Sequence, residues 1–114
     1  TAKEALKDIV SPENGKNVTP ETIISTVCEH YNVREADVES RKRSSEFVLP
    51  RQVIMYILRE NTDLTLERIG KYLGNKDHTT VMHGADKIKD DIKTNEELRS
   101  NISFIMKKLN LGTR

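Results

Sequence analysis

Between Ala2 and Leu109 the apolar side chains recur three and four positions apart, and no run alternates in the manner of a half-buried strand. That pattern predicts an all-α domain, a small cluster of short helices. At 114 residues the chain fits one domain with a single core. No apolar stretch approaches the ~18 residues of a membrane span, and none has the form of a signal-peptide core. The lone cysteine, Cys28, excludes an intrachain disulfide framework and suits a reducing cytoplasm.

The helices can be placed from their punctuation. Ala2 to Val10 forms an amphipathic stub, and Ser11 to Pro20 (SPENGKNVTP) reads as a linker or hinge. Thr19 then caps a helix opened by Pro20, with Ile23, Val27 and Tyr31 along one side and Ile24 and Cys28 beside them. A short turn of helix is expected over Ala36 to Val38, followed by a polar basic loop from Ser40 to Glu46. Pro50 is expected to open the next helix, Arg51 to Asn61, whose centre from Val53 to Leu58 is apolar nearly all round. Thr65 and Asp77 sit where N-caps belong, before one short helix and before another from His78 to about Lys93. Asn95 caps the last helix, with Leu98, Ile102, Ile105, Met106 and Leu109 inward.

Bulk charge says little, because 19 Lys and Arg stand against 18 Asp and Glu. Its distribution says more. From Arg41 to Arg59 five basic residues (Arg41, Lys42, Arg43, Arg51, Arg59) meet only Glu46, whereas Asp86 to Glu97 is net acidic. A near-neutral domain with a basic middle can hold a polyanion on one face, although a short cluster alone is more commonly a solvated loop, and charge does not decide.

The segment Thr65 to Ile92 is the most informative. A short helix, a glycine break and a longer helix with a polar, small-residue start make a helix-turn-helix pattern. Gly70 would let the second helix pack close, and Gly74 can take the positive φ that ends a helix. Asp77, His78, Thr79 and Thr80 open the second helix with side chains short enough to approach base edges. From spacing alone, a generic helical hairpin with Asp77 as a plain N-cap stays open beside DNA readout.

The run GKYLGNKDHTTVMHGADKI is similar to G-x-x-F-G-G-R-D-H-T-T-V-x-H-A-x-x-K-I of the C-terminal DNA-binding domain in the bacterial replication-initiator family DnaA. Upstream, SRKRSSEFVLPRQVIMYILRE resembles the basic loop and PRQ helix of that domain, and the likeness extends over about Val18 to Leu109. The resemblance implies residues 1–17 as a hinge helix and linker from an ATPase module outside this chain, and 18–114 as the DNA-binding domain. It implies double-stranded DNA as partner, at A·T-rich origin boxes of the TTATNCACA type. Arg43 would enter the minor groove, while Arg51, Gln52 and Arg59 hold phosphates. Leu66 would lie near thymine methyls, Asp77, His78 and Thr79 would read the major groove, and Thr80 would touch the backbone. Lys76, where the family has arginine, can still reach a phosphate. Arg51 and Arg59, eight residues apart and about 80° around a helix, could serve one DNA backbone.

The resemblance further implies a monomeric fragment of a cytoplasmic, nucleoid-associated initiator that oligomerises on the origin, with ATP and magnesium confined to the full-length protein. Asn75-Lys76 replaces the family's Gly-Arg, Ser45 stands where many members carry another arginine, and Gly84 replaces alanine. That last change costs about 1 kcal/mol of helix stability, which Gly84→Ala would recover if there is room for a methyl.

Other chemistry fails on spacing. GKYLGNK lacks the glycine spacing of a phosphate loop, and His78 and His83, five apart, are not a metal pair. Ser44, Ser45, His78 and Asp77 carry no nucleophile-elbow motif, so no enzyme is expected. Cys28 reads as a buried structural thiol. The alternative function is an all-α protein-interaction module whose basic loop meets an acidic partner.

Overall fold

Thr19 Oγ1 accepts the Thr22 amide at 3.1 Å, and Pro20 at the first helical position has no amide to leave unpaired. The first helix, α1 (Pro20–Tyr31), therefore starts where the sequence places it. The computed structural model describes residues 19–109, and the stub and hinge expected before Thr19 lie outside them. Five more helices follow: α2 (Glu35–Glu39), α3 (Ser45–Asn61), α4 (Leu66–Tyr72), α5 (His78–Asp91) and α6 (Glu96–Lys108). No strand occurs among the described residues.

Helix α3 is the axis of the domain. Its Val53, Ile54, Met55, Ile57 and Leu58 are fully buried, which is why its sequence is apolar nearly all round. It packs most extensively on α5, then on α1, and α2 and α4 fill the flanks. Helix α6 closes the far side against α1 through Leu98, Ile102 and Ile105. Asn95 Oδ1 accepts the Leu98 amide at 3.0 Å, the cap expected of it. Cys28 lies in this core, and burial, helped by Glu35, Glu39 and Asp37, pushes its thiol up to about 11. It is therefore protonated and unreactive near neutrality.

Pro50 does not open α3. The helix begins five residues earlier, at Ser45, and the proline sits inside it, so the basic loop shortens to Ser40–Ser44. Pro50 cannot pair the Glu46 carbonyl, but Glu46 is exposed and water can serve it. In exchange Phe47, Val48 and Leu49 become half-buried, apolar area that a loop would leave wet.

Gly84 does not meet the condition for a stabilising methyl unless a neighbour shifts. It is buried where α5 crosses α3, and an added Cβ would overlap the Met55 sulfur and press on Gln52 Cγ at 3.3 Å. Gly84→Ala should therefore melt no higher than the parent, since displacing a fully buried Met55 cancels the gain of about 1 kcal/mol in helix propensity. A midpoint raised by several degrees would show that Met55 yields freely.

Asp37, on α2, gives a pH-dependent expectation. Its carboxyl is held below the usual carboxylate range by hydrogen bonds from Lys42 and Arg34, with burial opposing them. The stability it adds is complete above its unfolded-state value of about 4 and is lost as pH falls through the lowered folded value. Asp37→Asn should thus melt below the parent at neutral pH, and the two curves should converge in acid. Curves that stay equally far apart throughout would mean that the ion pairs add nothing.

Candidate nucleic-acid interface

Thr65 Oγ1 accepts the Arg68 amide at 3.2 Å and starts α4, the first helix of the helix-turn-helix. The chain then reverses through two left-handed residues, Gly74 at φ 83° and Asn75 at φ 63°. Gly74 is required twice over, because a Cβ there would also collide with the Glu39 carbonyl. Gly70 serves differently from the expectation. A Cβ on it would strike the Lys76 carbonyl, so it admits the turn, while Val81 of α5 stays at an ordinary 3.5 Å. The Lys76 amide closes the turn by donating to the Gly70 carbonyl at 2.9 Å.

Asp77 occupies the N-cap of α5 in an extended conformation, yet its side chain makes no capping hydrogen bond. Its carboxylate stands 3.8 Å from His78 Nδ1, with both side chains well exposed. Thr80 is exposed and Thr79 half-buried, whereas Val81 and Ala85 behind them are fully buried. DHTT thus forms one polar turn at the surface of an anchored helix, with Asp77, His78 and Thr80 exposed and Thr79 half-buried. Leu66, at the first position of α4, is half-buried.

The basic residues divide into outward and engaged sets. Arg41 and Arg43 are exposed and enter no ion pair among the described residues. Lys42 is exposed but engaged: its ammonium lies 2.8 Å from Asp37 Oδ1 and 5.0 Å from the centre of the Phe47 ring. Arg51 is 7% exposed, so it does not pair with Arg59 on an open face as the helical spacing suggested. Its Nε donates to the Val38 carbonyl at 2.7 Å, Nη1 to that of Lys42 at 3.0 Å and Nη2 to that of Asp37 at 3.2 Å. Lys76 is likewise engaged with backbone: its ammonium donates to the carbonyls of Leu73, Ser40 and Glu39 at 2.9, 3.0 and 3.3 Å. Burial, with Arg51 and Arg41 nearby, pushes its pKa down.

Arg59 is partly shielded at the edge of α3. Its Nη1 lies 2.8 Å from Asp86 Oδ1 on α5, and its Nε lies 3.4 Å from Glu60. The bond to Arg59 holds the Asp86 carboxyl below its usual range. Gln52 is half-buried on α3, beside Gly84. On α4, Arg68, Lys71 and Tyr72 line an open groove of about 270 Å³ that the sequence reading passed over. Their i, i+3, i+4 spacing was the signal for it. Among the described residues no three His, Cys, Asp or Glu side chains gather as a metal site. No helix among them is long and apolar enough to cross a membrane.

The sequence matches a known family. Residues 20–88 fit the family model described as bacterial dnaA protein helix-turn-helix. The chain is 44% identical over 109 residues to a chromosomal replication initiator protein DnaA of Lachnoclostridium phytofermentans, covering 96% of this chain and 24% of that one. Proteins of the same name from Herpetosiphon aurantiacus (44% over 108 residues, 95% and 23% covered) and Chloroflexus aggregans (40% over 111 residues, 97% and 23%) are also similar. The chain thus spans about a quarter of the length of the relatives it matches. Family model, relatives and helix-turn-helix geometry agree, and the chain belongs to the bacterial DnaA helix-turn-helix family.

Proposed function

We propose that this domain binds duplex DNA at A·T-rich boxes of a replication origin and is the sequence-reading part of an initiator. Membership of the family supports DNA binding in replication initiation as its function, and marks the chain as a helix-turn-helix domain rather than a catalytic one. The observation that carries the reading is the surface DHTT turn at the start of α5, whose Asp77 does not cap its helix. Asp77, His78 and Thr79 read the major groove, and Thr80 touches the backbone. Leu66 lies against thymine methyls, and Arg43 enters a narrow minor groove, where negative potential is concentrated. Gln52 and Arg59 hold phosphates, Arg59 by exchanging Asp86 for one. In the whole initiator, residues 1–17 form the hinge to an ATPase module that supplies ATP and magnesium binding. The fragment is monomeric, and the cytoplasmic, nucleoid-associated initiator assembles on the origin.

The test is a competition titration between box and scrambled duplexes at stated salt. Thr79→Ala should keep the parent's circular dichroism and melting, because Val81 and Ala85 supply the packing. It should also lose about 1–3 kcal/mol of discrimination at one base pair. Undiminished preference for the box would show that α5 is not the reader, and would move the protein-interaction module ahead.

A second measurement addresses Arg59. Asp86→Asn removes the shorter of the two ion pairs that hold the guanidinium, leaving Glu60, so box and scrambled duplexes should both bind more tightly. If a further phosphate is engaged, the plot of log affinity against log salt should also steepen by about 0.9. Unchanged affinity for both duplexes would exclude Arg59 from the phosphate contacts.

A further inference from the structure

The C-terminal end of α2 poses a problem in hydrogen bonding. A helix of five residues pairs almost none of its own carbonyls, and those of Asp37, Val38, Glu39 and Ser40 need donors from elsewhere. Ser40 supplies its amide at 3.3 Å and its hydroxyl at 2.7 Å to Asp37. Arg51 covers Asp37 and Val38, and Lys76 covers Glu39 and Ser40. The third bond of the Lys76 ammonium goes to Leu73, at the end of α4.

An ammonium has three N–H groups, and here all three have carbonyl partners. None is left for a phosphate unless one of these bonds breaks. The two backbone stretches so joined are the entrances to the two DNA-reading segments. Ser40 immediately precedes Arg41-Lys42-Arg43, and Lys76 itself immediately precedes Asp77-His78-Thr79. Gly74 tightens the same junction, since its missing Cβ leaves the space that the Glu39 carbonyl fills. Arg51 pins the loop from the other side through the Lys42 carbonyl, one residue before Arg43.

We propose that Lys76 is a positioning residue for minor-groove recognition, fixing the basic loop against the reading helix without touching DNA. The proposal rests on the DNA-reading function above and assigns Lys76 a different part in it from a phosphate contact. Arg43 lies three residues beyond Ser40, within about 10 Å of extended chain, so the anchor sets where its guanidinium can go. Without it, the loop stays attached through Arg51 and Lys42 but loses its register relative to α5.

The experiment compares the parent, Lys76→Met, Arg43→Ala and the double variant by a base-by-base substitution scan of the box, at several salt concentrations. Lys76→Met should keep the parent's salt slope and its discrimination at the base pairs that Thr79→Ala affects. At the base pairs to which Arg43→Ala becomes blind, its discrimination should fall by about fivefold or more. In the Arg43→Ala background Lys76→Met should have no further effect there, the signature of two residues acting as one unit. If Lys76→Met melts below the assay temperature, Lys76→Gln, which has no charge and too few N–H groups to bridge all three carbonyls, carries the same comparison. A salt slope flatter by about 0.9 with uniform loss on every sequence would make Lys76 a phosphate contact and overturn the proposal. Unchanged discrimination at every base pair would overturn it as well. A parent with no preference for the box over a scrambled duplex would instead remove the DNA-reading function itself, and the positioning role with it.

Discussion

Buried backbone carbonyls must find donors, and in this domain that requirement joins parts of the chain that are far apart in sequence. Helix α2 is too short to satisfy its own C-terminus, so α3 sends Arg51 to it and the helix-turn-helix sends Lys76. Gly74 is bare because the same carbonyl end leans on it. Remove this junction and the basic loop would have no fixed relation to α5, although each helix would still have an apolar face to bury. The hydrophobic core explains why the helices gather. The polar junction explains why the basic loop and the start of α5 share a frame.

The basic residues of this fold serve two different ends. Three cations of the basic middle are engaged within the fold, Arg51 with carbonyls, Lys42 with Asp37 and the Phe47 ring, and Arg59 with Asp86, and Lys76 of the turn likewise holds carbonyls. Arg41 and Arg43 are left facing outward. A cation buried on carbonyls adds rigidity and little long-range field, whereas an exposed arginine adds field and little rigidity. Counting basic residues merges these two uses.

Much of the fold was legible because it rests on local rules. Thr19, Thr65 and Asn95 cap as their types predict, Gly74 takes its positive φ, and the buried faces follow the apolar spacing. The misreadings share one cause, tertiary contact. Pro50 looks like a helix start until Phe47, Val48 and Leu49 find a core to enter. Gly84 looks like a weak point until Met55 is seen to occupy its missing methyl. Arg51 and Lys76, grouped by the motif with the DNA contacts, prove also to hold backbone carbonyls, and nothing local tells a buried arginine from an exposed one. Asp77 was the reverse case. Its type and position predicted a cap, and its side chain makes no such bond.

That missing cap bears on the energetics of α5 itself. A helix without a side-chain cap forgoes about 1 kcal/mol and leaves the amides of its first turn to solvent. Acceptors brought by a duplex would complete that turn from outside the chain, so the helix end and the ligand would share one set of hydrogen bonds. The free domain would then hold its first turn less tightly than the rest of α5, and occupancy would stiffen it. Part of the folding free energy of this helix would thereby be deferred until a partner arrives.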